Sequence, residues 1–394
     1  MRGQKQEGWR NSTLHSLFVM TPVSASYLSS FGAPPMLRET LPAESFDEAG
    51  QFSMECYLAY ARKMTEMANK IAHSADVTLV RHRLLVIVDL QGIYLAVMDW
   101  LKAAGFDIES GLLVSRFSIF LMQSVMDTIE AAVVAEAGND AMRFADLEKV
   151  IAAGKLEDLR SLTHVVKFEP AIELFFAPAP LDEIDWQLQK HARYGSVMAS
   201  EQLGDIRNGI INLHGRERDY SFYEDFIHHL KHDDRVTRSE RGFFNFYVGP
   251  KGLQFIDEKE VDIRIAIRAV DACVDYEADS ICIISSDQDF IPLHERCRKA
   301  GVQTYQADVA KFASPNKVGR KIRELGVNFI PTGIAPDWAL RAITEACAPF
   351  AFYRLSMTEF EGLCRIHNDL NEVQIAPHVA ANGTVGLRMY RPAN

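Results

Sequence analysis

The sequence predicts an α/β protein built on a doubly wound parallel sheet, and three observations carry the prediction. Two runs, Leu84 to Val88 and Ile281-Cys282-Ile283-Ile284, are continuously apolar, as strands buried on both faces are. From Tyr220 onward, apolar runs of this kind alternate with helical patterns, the rhythm of a parallel sheet with crossover helices. Both runs stop at acids: Asp89 after the first, Asp287 and Asp289 after the second. Open α/β sheets bind ligands beyond the carboxyl ends of their strands. Carboxylates that converge there repel unless a cation or a proton lies between them.

Taken in order, residues 1 to about 45 are rich in Ser, Gly and Pro and predict an irregular arm. A helix from Phe46 to about His73 would carry Tyr57, Tyr60, Met64 and Met67 on one side. Strand Leu84 to Val88 follows, and Gly92 then opens a helix bearing Tyr94, Val97, Met98 and Leu101. The stretch at about 108–216 reads as an insertion dominated by helices, with a long apolar stripe from Phe117 through Met126 to Val133. Beyond it the pattern predicts helix 222–231, strand 243–248 and helix 261–276, the last with Ile263, Ile267, Val270 and Val274 on one face. Strand 280–284, helix 291–300 with Gly301 as its C-terminal stop, strand 302–306, helix 315–324 and strand 327–330 complete the series. The chain thus divides into an N-terminal arm and helix (1–80), an α/β domain with its insertion (81–332) and a C-terminal extension (333–394). In the extension, two helices and a Gly-flanked strand read as a small winged-helix-like module or as an extension packed on the sheet.

Composition narrows the classes. With 394 residues, 48% hydrophobic and 24% charged, the chain has enough apolar content for a sizeable core. A net charge of −11 excludes coating nucleic acid by bulk electrostatics. A local basic stretch, with Arg296, Arg298, Lys299, Lys311, Lys317, Arg320, Lys321 and Arg323, follows the acidic strand end; it reads either as a rim for a polyanion or as solvated helix faces. Six scattered cysteines without a Cys-x-x-Cys pair fit a reducing cytoplasm, with Cys273 and Cys282 as core residues. No run of eighteen uncharged apolar residues is present, and the N-terminus lacks a secretory pattern, so neither a membrane span nor a leader is expected.

One more spacing matters. Lys259-x-Val261-Asp262 precedes Ser285-x-Asp287-x-Asp289-Phe290-x-Pro292-Leu293 by about twenty-five residues, after a first strand ending in Asp89. This arrangement resembles the NYN domain, a family within the PIN-like ribonuclease superfamily. The resemblance covers roughly 82–106 and 217–332, and Gly301-Val302 matches the opening of the next strand. It implies a PIN-like sheet with Asp89 and Asp287 on neighbouring central strands, and cleavage of RNA phosphodiesters with Mg2+ or Mn2+. Asp89, Asp262, Asp287 and Asp289 would be the metal ligands and catalytic acids. Lys259, Arg268, Ser285, Ser286, Lys311 and Lys317 would contact the RNA. Two positions depart from the family: Gly92 stands where Asn is common, and Arg268 where a further acid is frequent. They leave open an NYN domain that binds RNA or a protein partner without cutting. The helical insertion offers a surface for a homo-oligomer or another protein.

Overall fold

The computed structural model describes residues 43–48, 53–105, 111–177, 225–249, 252–287, 289–309, 328–347, 355–379 and 385–390, with short helical pieces between 185 and 208. The expected arm at 1–42 and helix 315–324 lie outside these residues, as do Lys311 and Lys317.

Helix α1 (Met54–Ala72) is capped by the Ser53 hydroxyl, which accepts from the Cys56 N–H. Strand β1 (Thr78–Asp89) leads into α2 (Leu90–Ala103) and α3 (Gly111–Ala137). Then come β2 (Ala141–Arg143), α4 (Phe144–Ala152) and β3 (His164–Phe176). A helical turn at 225–231 precedes β4 (Val236–Arg241), and β5 (Phe243–Gly249) with β6 (Gly252–Lys259) forms an antiparallel hairpin. The chain continues through α5 (Val261–Val274), β7 (Ser280–Ile284), α6 (Ile291–Lys299), β8 (Gln303–Asp308) and β9 (Asn328–Pro331). Helices α7 (Trp338–Cys347) and α8 (Met357–Leu370) and the hairpin β10 (Gln374–Val379) with β11 (Val385–Tyr390) follow.

Seven strands form one sheet, in the order β2-β3-β1-β7-β8-β9, with β4 also pairing with β3. Every pairing in it is parallel. Strand alternation sorts the core. Leu84, Val86 and Val88 of β1 pack with α2, α3, α7 and α8 on one face. Leu85 and Ile87 pack with α5 and α6 on the other. A third cluster seats α1 and α4 against Val165 of β3. Each buried Leu, Ile or Val contributes roughly 1.5–3 kcal/mol, so β1 is a principal anchor of the fold.

Three expectations change. The span 108–216 holds a central strand as well as helices, because β3 inserts between β1 and the β2/β4 edge. Its sequence hides this: Pro170 and interleaved Lys167, Glu169 and Glu173 break the continuous apolar run that marks β1 and β7. The helix read as 261–276 turns the opposite face inward. Ile263 and Ile267 are 63% and 56% exposed, while Ile265, Ala269, Ala272 and Cys273 face the sheet. Rotating Ile263 inward would carry Arg268 away from the buried Glu173 it pairs with, and stranding such a carboxylate costs about 3–5 kcal/mol. The strand at 243–248 belongs to the β5–β6 hairpin, outside the main sheet.

Helix α3 is long and apolar enough, by length and composition over Leu113–Ala137, to cross a membrane. Its residues Leu113, Phe117, Phe120, Leu121, Met122 and Val125 are core against the sheet, which accounts for the same composition. Cys273 and Cys282 are buried and unbridged.

Candidate acidic site at the sheet edge

The carboxyl end of β1 is fixed by register. Val88 pairs with Ile284, so β1 and β7 stop side by side. The chain turns into α2 at Asp89, whose extended backbone (φ −73°, ψ 100°) makes it the helix N-cap. There its Oδ1 accepts from the Gly92 N–H at 3.4 Å and its Oδ2 accepts from the Ser285 hydroxyl at 3.0 Å. The same Ser285 oxygen accepts from the Asp287 N–H at 3.2 Å. Asp287 Oδ1 in turn accepts from the Asp289 N–H at 2.9 Å. One hydroxyl therefore ties the end of β1 to the turn after β7.

Asp262 reaches this edge from a third direction. The chain leaves β6 at Lys259 and passes Glu260 in a left-handed conformation (φ 72°), which sets the first turn of α5. Gly242 makes the approach possible: a Cβ there would lie 2.5 Å from the Lys259 carbonyl oxygen and 2.6 Å from Val261. Partial desolvation raises the Asp262 pKa, and the charges of Asp89, Asp287 and Asp289 raise it further. Burial raises the Asp89 pKa; the Ser285 and backbone donors oppose it, and the Asp287 charge adds to it. Four acids from three chain segments thus lie near enough to act on one another. Among the described residues no group of three His, Cys, Asp or Glu side chains stands arranged to hold a metal ion.

The expected RNA contacts distribute unevenly. Ser285 is inside the acidic edge, but the Ser286 hydroxyl turns to the Asp308 carboxylate at 2.6 Å. Arg268 lies six residues beyond Asp262, about 9 Å along the helix. Its guanidinium donates to both Glu173 oxygens, at 2.8 to 3.1 Å, and reaches Glu277 at 2.7 Å. It is a structural counter-ion, not a group facing the acids. Lys259 ends β6, three residues before Asp262. Arg296, Arg298 and Lys299 occupy the last turn of α6, a full helix length from the acidic turn that precedes it.

Asp308 was missed from sequence. It ends β8 beside β7 and is only 3% exposed. The signal was the same one that identified Asp89, an acid closing a strand, but the strand expected at 302–306 was ended two residues short of it.

An α/β protein with a group of acids at the carboxyl edge of its parallel sheet is the class that fold and site define. Residues 217–318 match the family model of the NYN domain, so this stretch carries that domain and points to the PIN-like nuclease superfamily. The match contains Asp262, Asp287 and Asp289, whereas Asp89 precedes it. No curated protein matches the chain. Among solved structures, a protein of unknown function from Vibrio parahaemolyticus is similar at 11% identity and a TM-score of 0.26, over 66% of this chain and 95% of that one.

Proposed function

We propose that the protein is a PIN-like ribonuclease that hydrolyses RNA phosphodiester bonds with Mg2+ or Mn2+ at Asp89, Asp262, Asp287 and Asp289. The observation that carries the reading is the hydrogen-bonded edge in which Ser285 joins Asp89 to the turn carrying Asp287 and Asp289, with Asp262 close enough to feel their charges. The donor set fits a hard divalent ion, which prefers carboxylate oxygen. The raised pKa values of Asp89 and Asp262 are the strain a cation relieves. When bound, such an ion supplies an activated water and charge stabilisation at the phosphate.

The chain's own residues do the rest. Ser285 holds Asp89 Oδ2 by donating its proton, so the Asp89 carboxylate keeps one orientation. Gly92 keeps a side chain off the Asp89 carboxylate, which a Cβ there would crowd at 3.2 Å from Oδ2. Asp262, exposed at this edge, would accept a proton from a water.

Purified protein should cleave labelled RNA in manganese or magnesium, and should lose that activity in chelator. Asp89→Asn and Asp287→Asn should each lower the rate about 100-fold or more, since even outer partners of metal ligands are worth about 10–100-fold. A second reading, binding without cleavage, is favoured by Gly92, by the sequestered Arg268 and by the lack, among the described residues, of a ready three-acid group. RNA retained without cleavage across both metals would establish it instead.

A further inference from the structure

Beneath the acidic turn lies a buried polar pair that the proposed chemistry does not use. Gln306 of β8 is 0% exposed, and its amide nitrogen donates to the Ser285 carbonyl at 2.9 Å and to the Asp287 carbonyl at 2.8 Å. Its oxygen meets His294 Nε2 of α6 at 2.8 Å. The proton inventory then fixes every role. An amide nitrogen has two hydrogens, both spent on carbonyls, so Gln306 Oε1 must accept and His294 Nε2 must carry the proton. Burial lowers the His294 pKa, which keeps the ring neutral. His294 Nδ1 is consequently a bare acceptor, and among the described residues it is buried with no hydrogen-bond partner.

An orphaned buried acceptor calls for an explanation. An aliphatic side chain would fill the site, 1% exposed, without that cost. What it would lack is the Nε2 proton that orients Gln306. We infer that His294 and Gln306 form a positioning clamp: His294 orients the Gln306 amide, and the amide grips the turn on both sides of Ser286, setting the direction of Asp287. With the carbonyls of Ser285 and Asp287 held inward, the Ser286 hydroxyl is turned to Asp308 and the Asp287 N–H to Ser285. The functional importance of the clamp rests on the ribonuclease reading; the clamp itself does not.

The test uses isosteres. Gln places an amide N–H where Nε2 stands, whereas Asn places its amide near Nδ1. In the full chain, His294→Gln should retain slow amide hydrogen exchange at Asp287 and Asp289. His294→Asn should speed it at least tenfold there, while β1 stays protected. Gln306→Leu should speed it as much, and both loosening variants should weaken Mn2+ binding tenfold in calorimetry. If His294→Gln and His294→Asn behave alike, the clamp is overturned, even where Gln306→Leu does not fold. If the wild-type chain neither binds Mn2+ nor cleaves RNA, the ribonuclease reading falls, and exchange still decides the clamp.

Discussion

Helix α5 presents two carboxylate clusters that differ in what answers them. At its first turn Asp262 meets Asp89, Asp287 and Asp289, and in the described structure their partners are neutral: the Ser285 hydroxyl and backbone N–H groups. The nearest cation on the helix, Arg264, is committed to Glu260 at 2.6 Å and to Glu240 at 3.7 Å. Six residues further on, Glu173 and Glu277 share a guanidinium fork from Arg268. Two carboxylates around one arginine are largely self-compensating. Four acids around hydroxyl and amide donors remain repulsive, so the first cluster stores a demand for positive charge that the second has already met.

The largest effect tests the satisfied cluster. Arg268→Met should strip Glu173 of its fork and destabilise the fold by about 3–5 kcal/mol in urea. Adding Glu173→Gln should recover much of that loss. A double variant as unstable as the single would mean that packing, and not the ion pair, holds this cluster.

Next comes the repulsive cluster. Asp89 and Asp262 have folded-state pKa values above the ordinary carboxylate value. The folded state therefore binds protons more tightly than the unfolded state. Stability from these groups is complete below the ordinary carboxylate pKa and is lost as pH rises through the raised values. Asp262→Asn should make the protein more stable at neutral pH and flatten this decline. Asp262 is exposed, so the gain should be small. Thermal melts from acid to neutral pH measure it, and a decline as steep as wild type would show that Asp262 feels no such repulsion.

The smallest effect concerns Gly92. A Cβ there would sit 3.2 Å from Asp89 Oδ2, so the carboxylate must shift by a few tenths of an ångström. Gly92→Asn should leave stability within about 1 kcal/mol, because helix propensity gained on replacing Gly offsets the crowding. Mn2+ affinity, titrated calorimetrically, should change several-fold. An unaltered affinity would separate Gly92 from the site.

Much of this comparison was legible before any coordinates, and the reasons are local. Ile281 to Ile284 was readable because continuous apolar sequence has few alternatives to a doubly buried strand. β3 was not, because Glu173 is buried by virtue of Arg268, a partner 95 residues away that no local pattern reports. The same long-range pair explains why α5 shows its larger aliphatic residues to solvent. Asp89, Asp262, Asp287 and Asp289 stood out as acids at element ends. Gln306, which holds the turn between two of them, carries no such mark.

The squeeze at Gly242 has a wider meaning. The strand entering the β5–β6 hairpin and the strand leaving it pass within van der Waals contact at Gly242 and Lys259. The hairpin is consequently a closed excursion, pinched at its base and absent from the main sheet. Residues gained or lost at its tip change its reach without altering the angle at which Asp262 is delivered, and so give variation a place to act that leaves the acidic edge alone.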